Sequence, residues 1–254
     1  MNMISAVIVT FNEEKKLEDC LKSIYKKVDE IIIVDLGSTD KSLQIASKYE
    51  AKVFKHENVD YVEKVRDFSI SKANGEWILV LDPDERITHS LFEKLKEIIS
   101  EGKYTAVNIP RKNIFFGRWI RHTNWWPDRQ IRFFKKGKVS WSSKIHSYPK
   151  VYGLSLELIS RPELSITHYG YDNIQQFIDR QNRYSSIEAE NRFNLGERFS
   201  FFKLGWFPLR EFIVRFIRHG GYLDGKYGFI LTYLMMVYQL MVMIKIWELR
   251  KRGK

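Results

Sequence analysis

Gly75-Glu76-Trp77-Ile78-Leu79-Val80-Leu81-Asp82-Pro83-Asp84-Glu85 is the stretch on which the fold turns. Five apolar residues in a row, from Trp77 to Leu81, follow Asn74-Gly75 and run into an acidic turn marked by Pro83. A run so short and continuous predicts a strand covered on both faces, as in a parallel sheet with helices on either side. Two runs upstream have the same character: Ala6-Val7-Ile8-Val9 and Glu30-Ile31-Ile32-Ile33-Val34-Asp35. Residues 51–55 read as a short edge strand. Between these runs, Leu17, Leu21 and Ile24 recur at helical spacing, as do Leu43, Ile45, Ala46 and Tyr49. Gly37-Ser38-Thr39-Asp40 supplies a turn and an N-cap before the second of these helices. Residues 62–73 and 91–99 read as further helices. Strands alternating with helices imply an α/β fold with a mostly parallel central sheet.

Ligands of such sheets bind beyond the carboxyl ends of the strands. Each polar cluster of the first hundred residues follows a strand: Thr10-Phe11-Asn12-Glu13, then Asp35, then Asp82 and Asp84. These groups are expected on one rim. Asp82 and Asp84 are hard oxygen donors suited to Mg²⁺ or Mn²⁺, ions that keep waters and take phosphate oxygens as further ligands. An ion held there would stabilise the charge that builds on a departing diphosphate. The plainer alternative is an acidic turn capping the next helix. No Gly-x-Gly-x-x-Gly follows the first strand and no Gly-Lys-Ser/Thr loop occurs, which argues against a dinucleotide oxidoreductase and a P-loop nucleotidase.

The 254 residues are 44% hydrophobic and 29% charged, a balance that supports a sizeable core and excludes a disordered chain. The single cysteine, Cys20, excludes an internal disulfide framework and a multi-cysteine zinc site, and fits a reducing compartment. The run from Ile4 to Val9 is too short for a signal-peptide core and lacks a basic flank, so it reads as the first strand. Net charge is +11, concentrated in two regions. Residues 103–150 carry twelve Lys/Arg against one acid, Asp128, and residues 201–254 carry ten against three. Such patches suit phosphate-bearing substrates or an acidic membrane surface. They form no recognised nucleic-acid-binding motif.

Beyond residue 104 a strand is expected at 105–109, then an aromatic, basic loop at 111–128. A hairpin is expected from 130–134 and 139–141, a last short strand at 165–168, and a polar helix at 172–192. Pro208 suits the first position of a helix. Leu209, Phe212, Ile213, Phe216 and Ile217 then form an apolar stripe, with Arg210, Glu211, Arg215 and Arg218 off it, which makes a basic amphipathic helix. Gly220-Gly221 ends it. Tyr227 to Ile244 carries no charge over eighteen residues. We expect this run to lie against a membrane surface. Packing on the catalytic domain or on a homodimer partner is the alternative, and a true span is disfavoured by Thr232, Gln239 and the tyrosines.

Three strings, Val7-Ile8-Val9-Thr10-Phe11-Asn12-Glu13-Glu14, Ile33-Val34-Asp35-Leu36-Gly37-Ser38-Thr39-Asp40 and residues 75–85, occur in this order over the first hundred residues. Together they resemble family 2 glycosyltransferases. Asp128-Arg129-Gln130-Ile131-Arg132-Phe133-Phe134-Lys135-Lys136-Gly137, His146, His168-Tyr169, Asn182-Arg183-Tyr184 and residues 221–229 (GYLDGKYGF) resemble the branch that builds lipopolysaccharide cores and related surface glycans. The resemblance implies a GT-A domain at 1–198, with a nucleotide-sugar half at 1–102 and an acceptor half at 103–198, followed by a helical membrane-associating extension at 199–254. It implies an inverting transfer from a nucleotide-diphosphate sugar to a hydroxyl of a lipid-linked or lipopolysaccharide-type glycan, beside the inner face of the cell membrane, in the cytoplasm.

The resemblance places Thr10, Asn12 and Glu13 on the base and ribose, Asp35 on the base, Arg66 on the nucleotide or diphosphate, Asp82 near ribose and sugar, and Asp84 on the divalent metal. Leu36 stands where the family has a second acid, and Asp67 where Asn is common. An inverting transfer needs a base for the acceptor proton. The branch has Val-His-Glu where this chain has Ile145-His146-Ser147, so the usual carboxylate is absent. Three explanations stay open: His146 is the base, Asp128 is the base, or the enzyme is impaired. Against these stand a structural role for His146 and an ion pair of Asp128 with Arg129 or Arg132. The aromatic basic loop would bind the acceptor, sugar rings stacking on Trp and Tyr and anionic groups meeting Arg and Lys; a satellite apolar cluster is the alternative. Transfer to polyprenyl phosphate, which needs no base, is the rival reaction, and a non-catalytic glycan- or membrane-binding homologue is the rival class.

Overall fold

The computed structural model describes residues 3–59, 61–141 and 149–252. His146 and Ser147 lie outside the described residues. The chain forms two compact units, Met1–Arg111 with Arg129–His168, and Lys112–Asp128 with Tyr169–Lys254.

The first unit begins β1 (Ile4–Thr10), α1 (Leu17–Ile24), β2 (Glu30–Asp35), α2 (Ser42–Lys48), β3 (Lys52–Lys55), α3 (Glu63–Ser71), β4 (Trp77–Leu81), β5 (Glu85–Ile87) and α4 (His89–Glu101). β1 runs parallel to β2 and to β4, and β3 runs parallel to β2. Every residue of β1, β2 and β4 is buried, the outcome that continuous apolar runs demand. Their side chains alternate between two layers. Ile8, Ile33 and Leu79 join Leu17, Leu21, Leu91 and Leu95 of α1 and α4. Val7, Ile32, Ile78 and Val80 join Ile70 and Ala73 at the end of α3. Each fully buried aliphatic side chain contributes about 1.5–3 kcal/mol of transfer free energy. Asp40 accepts from the Ser42 N–H and Glu14 from the Lys41 N–H, which satisfies donors ahead of α2.

The later strands are β6 (Ala106–Phe115), β7 (Arg118–Trp119), β8 (Asp128–Lys135), β9 (Val139–Ser140), β10 (Lys150–Val151), β11 (Ser155–Glu157) and β12 (Ile166–Tyr171). The main sheet runs β3-β2-β1-β4-β8-β6-β12-β5. β8 is antiparallel to β4, with Leu79 opposite Phe133 and the Trp77 ring stacked on Phe133 at 4.7 Å.

Three expectations are corrected. Residues 130–141 are not a hairpin: β8 pairs in the main sheet, while β9 pairs with β10. Phe133 and Phe134 are wholly buried, and only a central strand position covers both faces of that pair. The loop expected from residue 111 begins later, because β6 continues to Phe115. The acidic turn is followed by a strand, β5, which pairs antiparallel with β12.

In the second unit α5 (Ile174–Asn194), α6 (Phe201–Phe212) and α7 (Lys226–Arg252) surround a core of Phe115, Tyr171, Phe177, Leu231, Met235 and Val242, among others. Pro208 lies inside α6 rather than at its start. Pro208 therefore stands about two turns further into the helix than expected, and α6 passes into a π-helical segment, Ile213–Arg218. α7 is long and apolar enough to cross a membrane, yet Leu231, Met235, Tyr238, Val242 and Ile246 recur along one face and are buried. That face packs in the unit's own core. Lys245 Nζ ties α7 to α5 through Asn182, Ser185 and Ser186 at 2.7–2.8 Å. α6 and the π-helical segment after it instead expose Phe202, Trp206, Leu209, Ile213 and Ile217.

Candidate active site at the carboxyl rim of the sheet

Parallel pairing brings the ends of β1, β2 and β4 to one edge: Thr10 lies opposite Asp35 and Ile8 opposite Leu81, the residue before Asp82. The first two loops are interlocked. Asn12 N donates to Ser38 Oγ, Asn12 Oδ1 accepts from Thr39 N at 2.8 Å, and Glu13 N donates to Ser42 Oγ. Asn12 adopts φ 54°, a left-handed conformation that asparagine tolerates. Asp35 is buried and turns back on its own loop, accepting from the N–H groups of Gly37 and Ser38. The Thr10 hydroxyl is buried with no hydrogen-bond partner.

Asp82 is held by cations. Arg132 Nη2 reaches its Oδ2 at 2.5 Å and Arg66 Nη2 approaches its Oδ1 at 3.5 Å. Arg132 also pairs with Glu85 at 2.8 Å, and Arg111 approaches the same Glu85 oxygen at 3.4 Å. Glu85 closes the turn by accepting from the Asp82 N–H at 3.0 Å. Burial raises the pKa of Asp82, but Arg132 and Arg66 outweigh it and hold the carboxyl well below the usual carboxylate range. Arg132 is driven the opposite way: burial lowers its pKa, and Asp82 and Glu85 more than reverse this. Arg66 is pulled down by burial, with Asp82 only partly offsetting it. Three acids, Asp82, Asp84 and Glu85, thus stand among three arginines.

Not every donor in this cluster is used. Arg66 Nε and Nη1 and Arg132 Nε are buried without a hydrogen-bond partner. An unmade hydrogen bond of this kind costs about 1–3 kcal/mol, more for a charged group. An anion with several oxygens would supply the missing acceptors.

Asp84 has a different neighbour. His168 Nε2 lies 3.5 Å from its Oδ2, both side chains largely buried. The strand register makes this contact, since His168 pairs with Glu85 across β12 and β5. A carboxylate oxygen and an imidazole nitrogen at this separation fit two positions around one divalent ion. Among the described residues no group of three or more His, Cys, Asp or Glu surrounds such a position, so the remaining ligands would come from waters and phosphate oxygens.

Two residues of this cluster, Glu85 and His168, carried no role in the sequence reading, while Arg111 was placed only in the acceptor loop and Arg132 only as a possible partner of Asp128. Arg132 had a signal, a charge inside an apolar strand. The others depend on pairings between distant strands. Asp128 opens β8 in the second unit, where Asn113 Nδ2 donates to its Oδ2 at 3.2 Å. The suggested partners of Asp128 are engaged elsewhere too, Arg129 with Glu157 and Ser160, Arg132 with Asp82 and Glu85.

A family model described as Glycosyl transferase family 2 matches residues 5–155. The uncharacterized glycosyltransferase RT0209 of Rickettsia typhi is 28% identical over 228 residues, covering 85% of this chain and 78% of its own length. The lipopolysaccharide core biosynthesis glycosyltransferase LpsC of Rhizobium meliloti is 26% identical over 252 residues, covering 96% of this chain and 92% of its own. Among solved structures, S. aureus TarS 1-349 superposes with a TM-score of 0.50 at 17% identity, over 99% of this chain and 92% of that one, a likeness of fold.

Proposed function

The chain belongs to glycosyl transferase family 2, and from that membership we propose that it moves one sugar, with inversion, from a nucleotide-diphosphate sugar to a hydroxyl of a lipid-linked or lipopolysaccharide-type glycan. The name of the R. meliloti relative supports the acceptor class. The observation that carries the donor is the arginine-clasped Asp82 with unused buried donors on Arg66 and Arg132.

On this reading Thr10, Asn12, Glu13 and Asp35 hold the nucleoside, and Asp82 faces the ribose and sugar. Arg66 donates its spare N–H groups to the diphosphate. The acceptor oxygen attacks the anomeric carbon while the bond to the diphosphate oxygen breaks and its electron pair leaves with the diphosphate. His146 or Asp128 takes the acceptor's proton. A Mg²⁺ or Mn²⁺ ion bound through Asp84, with His168 and Asp82 beside it, would neutralise charge on the leaving group. The enzyme works in the cytoplasm as a peripheral protein on the inner face of the cell membrane, a placement supported by the exposed apolar residues of α6 and the basic residues Arg210, Arg218 and Lys226 near it.

Thermal melting with UDP-, GDP- and ADP-hexoses in the presence of Mn²⁺ tests the donor. One donor is expected to raise Tm, since a ligand of the folded state stabilises it. The rise should vanish with EDTA and in Asp84→Ala, and transfer should be lost with it. No shift with any donor, or full transfer in EDTA, would reject this assignment. Product analysis with polyprenyl phosphate and with a core glycan as acceptors separates the two acceptor classes.

A further inference from the structure

The second unit contains a cavity of about 360 Å³ lined by Arg118, Trp119, Arg121, His122, Leu223 and Asp224. We propose that this cavity binds an anionic sugar of the acceptor glycan, one bearing a phosphate or a carboxylate, with Arg118 and Arg121 gripping the anion. The inference rests on the transfer reading above and gives its acceptor a chemical class.

Asp224 builds the cavity. It ends the short 3-10 turn Gly221–Asp224 and is buried. Its carboxylate accepts from the backbone N–H of Arg121 at 3.2 Å and of His122 at 2.8 Å. His122 Nδ1 lies 3.2 Å from the same carboxylate, within reach for an Nδ1–H to donate to it. The loop is pinned from its other side as well: Thr123 N donates to His219 O, and Arg215 Nη1 donates to Thr123 O at 2.8 Å. Asp224 is thus spent on loop geometry and one imidazole.

The arginines keep their charge for a ligand. Both side chains are exposed, and among the described residues neither guanidinium is paired with a carboxylate. Aromatic faces hold them instead. Arg121 lies over Trp119 at 4.3 Å and Arg118 over Tyr227 at 5.2 Å. Such contacts order a guanidinium without neutralising it, and the planar fork matches phosphate or carboxylate oxygens. Trp119 is itself braced edge-on by Trp126 at 5.4 Å. The volume is in the range of small-ligand pockets, and Lys112 Nζ, over the same indole at 4.9 Å, adds a third cation beside the cavity. A neutral apolar ligand would leave these charges unanswered.

Isothermal titration of the full chain with glucose 6-phosphate, glucuronate and glucose, without donor, tests the proposal. At least one anionic sugar should bind saturably and about tenfold or more tightly than glucose. The double variant Arg118→Gln/Arg121→Gln, altered only at exposed side chains, should weaken that binding by about 10–100-fold, the worth of one or two charge-assisted hydrogen bonds. The phosphate and carboxylate arms show which anion is preferred. Equal binding of glucose, no saturable binding of either anion, or unchanged binding by the double variant would overturn the proposal. Because donor is absent, that failure is distinct from a failure of the transfer reading, which the donor-induced Tm shift reports.

Discussion

Glu30 sits at the first residue of β2, the strand whose last residue, Asp35, belongs to the rim. Its carboxylate accepts from Ser5 Oγ, from Asn74 N and from Asn74 Nδ2, and pairs with Lys52 at 2.8 Å, tying β1, β2, β3 and the approach to β4 together. Burial raises its pKa, but the Asn74 N–H, Lys52 and Ser5 outweigh that and bring it down to about 2. A carboxylate depressed from 4.5 to about 2 contributes about 3 kcal/mol of stability above pH 4.5, lost as the pH falls toward 2. Glu30→Gln is therefore expected to cost about 3 kcal/mol in urea unfolding at pH 7, with the gap to wild type closing between pH 4.5 and 2. A gap that does not change with pH would show that ionisation contributes nothing. At the opposite rim Asp82 and Asp84 were legible in the sequence, because two acids after a buried apolar run need a purpose. Glu85 and His168 were not, since what gives them meaning is a strand pairing across eighty residues.

Among elements, the join between the Gly221–Asp224 turn and α7 is the tightest. A Cβ on Gly228 would lie 1.9 Å from the Gly221 carbonyl oxygen, and Gly220 adopts φ 63°. Gly228→Ala cannot be absorbed by a side-chain shift, because the obstacle is backbone. It is expected to cost about 1–3 kcal/mol, as overpacking does, and to lower Tm measurably; an unchanged Tm would mean that the turn opens freely. The helices and buried strands were readable from periodicity and from continuous apolar runs. The errors fell where one pattern serves two structures. Residues 130–141 look like a hairpin locally, yet β8 carries two adjacent buried phenylalanines that only a central position accommodates. Pro208 looks like a helix start, yet the apolar spacing of Phe202 and Trp206 already continues the same stripe upstream.

At the scale of the whole molecule the basic residues have several destinations, the Arg118 and Arg121 cavity among them. Some are drawn into the acidic rim, where Arg66, Arg111 and Arg132 balance Asp82, Asp84 and Glu85. Others accompany the exposed Phe202, Trp206, Leu209, Ile213 and Ile217 on α6 and its extension. The full chain is expected to co-sediment with vesicles containing anionic lipid, less so at high salt. Phe202→Ser/Trp206→Ser/Ile213→Ser should lower vesicle affinity about tenfold or more, since each inserted apolar side chain is worth on the order of 1 kcal/mol or more, with Tm read in parallel to show that the variant is folded at the assay temperature. Equal sedimentation of the variant would remove α6 from any membrane contact. Deleting the tail would be a poor substitute for this test, because α7 supplies core residues of the second unit.

The second unit is assembled from two stretches of chain, Lys112–Asp128 and Tyr169–Lys254. During translation the first stretch emerges long before α7, whose side chains complete its core. At ordinary elongation rates of about 5–20 residues per second the wait is on the order of 6–25 s. Through that interval Phe115, Ile120 and Trp125 have no finished interior to enter, so a nascent polypeptide stalled short of its last helix offers an oily, tryptophan-rich segment to whatever chaperone or protease reaches it first.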